Sequence, residues 1–246
     1  VVAGHYAYVT TPRGVQVVDL DDPLKPKALA FIALDDARAT AVQFRYAFVT
    51  AGSGLHVVDL TDMKAPRLLP TSIALQDARR VYVARTYAYV AAGAEGLAIV
   101  NVTKPEAPTL LTRFSADGVI NDARDVVVGS TNASLFAYVA DGKNGLRVIQ
   151  LTSPESQPNF YGFSPEPRPE LIASRATRSP AIALSKGLDR DRAVDETGGQ
   201  IAVFGRLGSR PFNLEEMQRL YLNPDGSVWT VRNTLNTAAL PEGGTR

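Results

Sequence analysis

One phrase occurs four times in this sequence, and its repetition constrains the fold more strongly than any other feature. Each copy has a short aromatic and β-branched run, a turn with glycine, and a second apolar run that ends on a polar residue. The copies begin at Tyr6, Tyr46, Tyr87 and Phe136, about 40 to 50 residues apart, a period typical of repeat architectures. We therefore expect a series of repeated structural units.

Each copy also indicates how many strands one unit contains. Residues 51–54 separate two runs of strand-forming residues and indicate a hairpin. Prolines such as Pro66 follow the second run and end it, since proline cannot donate a ladder hydrogen bond. A third apolar run comes next, and then a fourth that opens on Asp-Ala-Arg. Four short antiparallel strands per unit predict an all-β fold made of β-propeller blades.

Adjacent apolar residues within the strands favour stacked blades over a sheet with one face in water. Val57 and Val58 point to opposite faces, because strand side chains alternate. Each buried valine or leucine contributes roughly 1.5–3 kcal/mol, which a lone blade would forgo on both faces. Each blade is therefore expected to need neighbours.

The predicted blades do not account for the whole chain. We assign residues 1–204 to the propeller, including a degraded fifth unit at 192–204. Residues 153–186 form a long proline-rich insertion, which we interpret as a surface loop of the kind that often carries function.

The two ends of the sequence leave the number of blades open. Residues 205–246 are a tail, with a short helix expected over 213–221 and a strand around Trp229 expected to close the last blade. Val1 aligns inside an innermost strand, so we expect the sequence to be a processed or partial chain. The propeller would have five blades, or six or seven if further residues complete the ring.

Composition narrows the range of functions. The formal net charge of +1 over 246 residues gives no reason to expect nucleic acid or an anionic membrane as a partner. No run of 18 apolar residues occurs, so no membrane span is predicted in this segment. The absence of cysteine excludes disulfides, thiolate zinc sites and haem attachment through Cys-x-x-Cys-His. We expect no cofactor.

The sharpest candidate site is the Asp-Ala-Arg motif that opens the innermost strands. In a propeller this position lies at one mouth of the central channel, where a ring of arginines could hold an anionic group or an acidic partner loop. The alternative is structural, because Asp and Arg two residues apart share a face and can pair with each other and with neighbours. The candidate residues are Asp36 and Arg38, Asp77 and Arg79, Asp122 and Arg124, and Arg175, which echoes the motif without its aspartate.

Local catalytic motifs are absent from the sequence. A Gly-x-Ser-x-Gly elbow, a phosphate-binding loop and a zinc motif are all missing. His5 and His56 occupy variable polar positions, which favours solvated surface residues. Acidic turns such as the one at Asp141 lack a calcium-loop pattern and are typical of backbone capping. The sequence gives no support for an enzyme.

The repeated phrase resembles the LVIVD repeat family of bacterial and archaeal proteins. Residues 137–142, Ala-Tyr-Val-Ala-Asp-Gly, and residues 54–60, Gly-Leu-His-Val-Val-Asp-Leu, carry the resemblance. It covers about residues 1–152, with an echo at 192–204. The resemblance implies a β-propeller in an extracytoplasmic or cell-surface protein, and such modules accompany multi-haem cytochromes and other large surface assemblies.

These observations favour a non-catalytic binding or scaffold propeller outside the cytoplasm, although fold alone does not fix function. The expected partners are other protein subunits, with multi-haem cytochromes as the most concrete candidate. The alternative is a ligand-binding or hydrolytic propeller that acts on an anionic small molecule or a glycan at the arginine-lined mouth.

Overall fold

The computed structural model describes residues 1–131, 134–153, 156, 164–185, 206–207, 210–211, 215, 218 and 222–227. The chain divides into two compact units, Val1–Ser185 and Lys186–Arg246. The first unit contains four four-stranded antiparallel sheets, and the described part of the second contains a two-stranded sheet.

Every sheet of the first unit is a meander in which consecutive strands are neighbours. The strands are β1 (Val2–Ala3), β2 (Tyr6–Thr11), β3 (Gly14–Asp19) and β4 (Lys27–Ala33); β5 (Ala37–Gln43), β6 (Tyr46–Ala51), β7 (Gly54–Asp59) and β8 (Arg67–Ala74); β9 (Arg80–Ala84), β10 (Tyr87–Ala91), β11 (Leu97–Asn101) and β12 (Thr109–Phe114); β13 (Asp125–Thr131), β14 (Ser134–Ala140), β15 (Leu146–Thr152) and β16 (Glu170–Arg175). In the second unit β17 (Arg206–Leu207) pairs with β18 (Arg210–Pro211).

In the second, third and fourth sheets, the first strand lies nearest the adjacent sheets. Strand β5 contacts β9, β9 contacts β13, and β2 of the first sheet contacts β5 of the second. The sheets are therefore successive blades of a β-propeller, with β5, β9 and β13 as inner strands. The predicted all-β propeller of four-stranded blades is confirmed.

Apolar side chains from facing blades form three buried clusters, one at each blade interface. Tyr8 packs with Val49 between the first and second blades, Phe48 with Val90 between the second and third, and Tyr89 with Val139 between the third and fourth. Because strand side chains alternate between faces, each central blade has both of its faces buried against neighbouring blades. The stacking of blades that adjacent apolar residues in the strands predicted is thus present in the structure.

The glycine that opens the second run of each phrase is required by close backbone packing. A Cβ on Gly54 would lie 2.0 Å from the carbonyl oxygen of Ile73 on the outermost strand, and φ at Gly54 is +136°. Gly14 has the same relation to Ile32, also at 2.0 Å. No side chain fits there, because real Cβ contacts are never this short, so the repeat keeps glycine at this point.

The blades have two ends, which we name by the direction of the inner strands. At the entry end, the inner strands begin and the turns between second and third strands lie. At the exit end, the inner strands finish and the connections between third and fourth strands lie. The orientation is shared between blades, since Gln43 at the exit end of β5 donates a hydrogen bond to the carbonyl of Arg85 at the exit end of β9, at 2.9 Å.

Part of the predicted 153–186 insertion is a strand. Residues 170–175 form β16, which pairs with β15 as the outermost strand of the fourth blade. In the other blades this strand follows its proline break closely, whereas here the connection at the exit end runs from residue 153 to 169. The longer connection moves the strand to a later position in the sequence than the repeat predicts, and for this reason the sequence pattern indicates a loop there.

Three predicted elements lie wholly or mostly outside the described residues. They are the degraded fifth unit at 192–204, the strand around Trp229, and the helix over 213–221, of which only Glu215 and Gln218 are described, both in helical conformation. The first compact unit ends at Ser185, whereas the sequence placed the propeller boundary after residue 204.

Candidate functional site: an aspartate–arginine ladder

The three Asp-Ala-Arg motifs meet at the entry end of neighbouring blades. Arg38 binds Asp36 of its own motif at 2.7 Å and Asp77 of the next blade at 2.5 Å. Arg79 repeats the arrangement, with Asp77 at 2.7 Å and Asp122 of the following blade at 2.7 Å.

Arg124 completes the series by binding Asp122 through Nε at 2.9 Å. The six residues thus alternate in charge across three blades, and we call this set the Asp–Arg ladder: Asp36, Arg38, Asp77, Arg79, Asp122 and Arg124. Asp77 and Asp122 each accept hydrogen bonds from arginines of two blades. Arg38 and Arg79 therefore pair with neighbouring aspartates, as the structural interpretation of the motif expects.

The electrostatic environment keeps the shared carboxylates charged. Burial acts to raise the pKa of Asp77, but hydrogen bonds from Arg79 and Arg38 outweigh it, and the pKa is lowered from its usual value. For Asp122 burial again acts upward, and Arg79 and Arg124 together bring the pKa down. In both cases burial is the largest single influence, but the hydrogen bonds and positive charges of the two arginines together outweigh it.

A second glycine of the repeat makes room for the ladder. A Cβ on Gly52, Gly93 or Gly142 would lie 2.3, 2.5 or 1.8 Å from a carboxylate oxygen of Asp36, Asp77 or Asp122, respectively. The sequence shows these glycines as turn residues, and nothing local reveals that each one faces the carboxylate of its own blade. The first blade has Pro12 at this position.

A buried aspartate supports the last blade of the ladder. Asp141 is fully buried, and its Oδ1 accepts the backbone N–H groups of Asn121 and Asp122 at 3.2 and 2.8 Å. Its Oδ2 accepts a hydrogen bond from Nε of Arg147 at 3.0 Å. Asp141 therefore fixes the backbone that carries Asp122, in keeping with the backbone-capping role expected for acidic turns.

The structure corrects the placement of Arg175. This residue ends β16, the outermost strand of its blade, where it pairs with Leu146. The residues at the ladder position of the next blade are identified by a cross-blade bridge. Gly93 bridges to Ala123, the middle of the third motif, and Gly142 bridges in the same way to Ala181. The arginine position of this motif is residue 182, so Arg175 lies seven residues before the position that the sequence similarity assigned to it.

One potential nucleophile–base pair was missed in the sequence. Oγ of Ser53 and Nε2 of His56 lie 2.8 Å apart across the β6–β7 turn, and burial lowers the pKa of His56. In the described part of the chain, no carboxylate or carbonyl oxygen binds the other ring nitrogen. Nucleophilic catalysis requires a base that is itself oriented by a third group, so the pair does not form a triad.

The exit end carries a feature that the sequence analysis did not single out. Phe44, in the two-residue turn between β5 and β6, is 93% exposed with φ of +53°. The corresponding turn of the third blade contains Thr86, whose hydroxyl lies 2.5 Å from that of Ser164 in the long connection. The connection is thus attached to the same end of the blades.

The described residues contain neither a metal-binding cluster nor a membrane-spanning helix. Across these ranges, no group of three or more His, Cys, Asp or Glu side chains is arranged to hold a metal ion. Within the same portion of the chain, no helix has the length and apolarity to cross a membrane.

Comparison with solved structures finds similar folds at low sequence identity. A functionally unknown protein from Desulfotomaculum acetoxidans matches with a TM-score of 0.55 and 10% identity, covering 76% of this chain and 56% of that one. AztD from Citrobacter koseri matches with a TM-score of 0.43 and 17% identity, covering 72% of this chain and 45% of that one. The chain thus spans about half of these proteins, and the first likeness shows the fold alone.

Comparison with curated proteins finds no match. The family model described as the LVIVD repeat matches residues 76–116 and 122–163. These ranges contain most of the third and fourth blades, with the Gly93 and Gly142 turns, and the resemblance found in the sequence is confirmed there. These two stretches of the propeller are similar to LVIVD repeats.

Proposed function

We propose that this chain is a non-catalytic binding and scaffold propeller that contacts other protein subunits through the exit end of its blades. The observation that carries the proposal is Phe44, a large aromatic side chain held in water at a left-handed backbone position. Left-handed backbone costs a residue with a Cβ roughly 1–2 kcal/mol, so folding alone gives no reason for phenylalanine here. Burial by a partner would recover apolar area, and aromatic residues often anchor protein interfaces.

Two further features support the exit end as the contact surface. Leu24, in the β3–β4 connection, is almost fully exposed at the same end. The connection between β15 and β16 is held against the third blade by the Thr86–Ser164 contact, so an added segment stands beside the inner turns. A surface with exposed apolar residues and a long insertion is typical of a protein contact site.

The cellular setting rests on the resemblance to LVIVD repeat proteins. It supports an extracytoplasmic location and a place in a larger surface assembly, with multi-haem cytochromes as the concrete candidate for partners. This chain contains no cysteine and so could not attach haem through a Cys-x-x-Cys-His motif itself. Haem in an isolated complex would therefore mark the partner.

The second candidate is a propeller that binds or hydrolyses an anionic small molecule or a glycan at the entry end. Two of its three arginines are each engaged by two carboxylates, which disfavours a ring of free guanidinium groups. One observation favours this candidate: among the described residues, Arg124 is bound by a single carboxylate, that of Asp122. The Ser53–His56 pair lacks an orienting group in the described residues and gives hydrolysis no support.

The test uses Phe44→Gly, which separates binding from folding. The partner is first identified by mass spectrometry of the wild-type complex, and its dissociation constant is then measured with purified proteins. Glycine is compatible with φ of +53°, so the variant should keep or raise the melting temperature. We expect affinity to fall by about tenfold or more, as for an aromatic interface anchor.

Val119→Ser is the matched control, because Val119 is an exposed apolar residue in the connection at the entry end. It should leave affinity unchanged. Equal affinity of wild type and Phe44→Gly would overturn the assignment of the exit end, and a wild-type protein that forms no complex would overturn the scaffold function.

A further inference from the structure

Among the described residues, Arg124 has one carboxylate partner, whereas the other ladder arginines each have two. Arg38 and Arg79 each use Nη1 to bind the aspartate of the next blade. Arg124 binds Asp122 through Nε, and no described residue accepts a hydrogen bond from its terminal nitrogens. Its side chain is 40% exposed, against 31% and 29% for Arg38 and Arg79.

The sequence of the next motif position explains the missing partner. Gly142 accepts a hydrogen bond from the N–H of Ala181 at 2.8 Å and donates one to its carbonyl at 3.1 Å. Gly93 and Ala123 exchange the same two bonds at 2.9 and 3.0 Å. Ala181 therefore stands at the alanine of a fourth motif, with Pro180 in place of the aspartate and Ile182 in place of the arginine. Proline supplies no carboxylate.

We propose that Arg124 binds a carboxylate of an external ligand, at the position that the missing aspartate would occupy. The contacts of Arg38 with Asp77 and of Arg79 with Asp122 show the geometry that such a group would adopt. Guanidinium–carboxylate pairing is strong and directional, which makes Arg a specific receptor for this group. The carboxylate belongs to an acidic side chain of a protein or to a small free acid.

The surroundings of Arg124 favour an anion. Asp122 is shared between Arg79 and Arg124, so its single charge does not fully compensate both guanidinium groups. The exposed Lys143 follows Gly142, whose Cβ position would lie 3.1 Å from Nε of Arg124. Exposed Ile182 occupies the arginine position of the next motif. It therefore provides no second cation that would share the carboxylate with Arg124. Within the described residues, no group of the next blade competes for this place, so one external carboxylate can occupy it.

This site lies at the entry end and is independent of the proposed contact surface at Phe44. Failure of one leaves the other standing, because the variants that test them lie at opposite ends of the blades. The test therefore uses defined carboxylates instead of the protein partner.

Binding is measured by isothermal titration at low ionic strength with two probes. The first is an acetylated and amidated Asp-Gly-Asp-Gly-Asp peptide, and the second is acetate. Arg124→Gln should weaken binding by about tenfold or more, the effect of losing a charge-assisted hydrogen bond. Arg178→Gln removes an exposed arginine of the same connection and should bind as wild type does.

Pro180→Asp provides the complementary test, because it restores the aspartate of the ladder. The new carboxylate would occupy Arg124, so binding of the probe should fall about tenfold while the melting temperature is kept or rises. Binding of the peptide alone would support the proposal with a protein carboxylate as the ligand, and comparable binding of acetate would support it with a small acid. Absence of binding at millimolar concentrations, or unchanged binding in Arg124→Gln, would overturn it.

Discussion

At the scale of single residues, glycines and aspartates of the repeat act together. Gly142 has no side chain because the carboxylate of Asp122 occupies the space beside it. Asp122 in turn accepts hydrogen bonds from Arg79 and Arg124, and Asp141 fixes the backbone that carries it. The repeat phrase thus encodes a contact between blades as well as a turn.

This relation predicts that Gly142→Ala is far more damaging than substitution of another glycine with positive φ. A Cβ would lie 1.8 Å from Oδ2 of Asp122 and would displace the carboxylate from both arginines. We expect a loss of about 3 kcal/mol or more in the free energy of unfolding, measured by urea denaturation.

Gly118→Ala is the matched control for this experiment. Gly118 has φ of +87°, and nothing lies within 4 Å of its Cβ position. Its substitution should cost only about 1–2 kcal/mol for the backbone. Similar losses in the two variants would contradict a steric role of Gly142 toward the ladder.

Much of this residue pattern could be predicted from the sequence, and the limits have physical causes. The Asp-Ala-Arg motif and its two possible roles followed from spacing, since residues two apart in a strand share a face. Arg175 was misplaced because similar letters recur at 171–177, whereas the true position is set by the hydrogen bonds of Ala181. The role of Gly142 depends on an approach to Asp122, twenty residues earlier, that no local pattern reveals.

At the scale of strands and blades, the ladder links inner strands that lie in different sheets and are therefore not paired with one another as strands. β5, β9 and β13 belong to three different sheets, and the arginines join their entry ends. Apolar clusters stabilise the faces of the blades, while the ladder fixes their positions at one end. Exposed ion pairs contribute little singly, but shared carboxylates form a network.

The ladder predicts a dependence of stability on pH. The pKa values of Asp77 and Asp122 are lowered in the folded protein, so their contribution is present above the usual carboxyl pKa. It is lost as the pH falls through the folded values, because the unfolded chain takes up protons first. The free energy of unfolding should therefore decrease on acidification below about pH 4, with a shallower slope in Asp122→Asn.

A double-mutant cycle with Arg79→Gln and Asp122→Asn measures the pair directly. We expect a coupling energy of about 1 kcal/mol at neutral pH, reduced by salt. Asp35→Asn is the control, since Asp35 is an exposed neighbour of Asp36 with no ion pair among the described residues, and it should not change stability. Zero coupling would contradict a structural ladder.

The elements themselves were predictable to different degrees. The repeat located the strands of the first three blades well, because each one lies between a glycine turn and a proline break. β16 was not recognised, since the connection before it is long and the strand is exposed on the outer edge of the blade. Outer strands have a weaker apolar pattern than inner ones, and strands are predicted from a sequence by this pattern.

At the scale of the molecule, the two ends of the blades have different roles in our account. The entry end is occupied by the ladder and leaves Arg124 for a carboxylate, while the exit end presents Phe44 and the long connection. The third and fourth blades between these ends contain the stretches, residues 76–116 and 122–163, that match the LVIVD repeat model. The fold provides a rigid support, and function resides in the groups displayed on it.

The most direct test of the binding and scaffold function is gentle purification of the natural protein from its source. Mass spectrometry would identify the chains in the isolated species, and an absorption spectrum would reveal haem. We predict a stable complex with other subunits, and a Soret band would identify cytochrome partners. Recovery of the protein as a monomer with no associated chain would contradict the account.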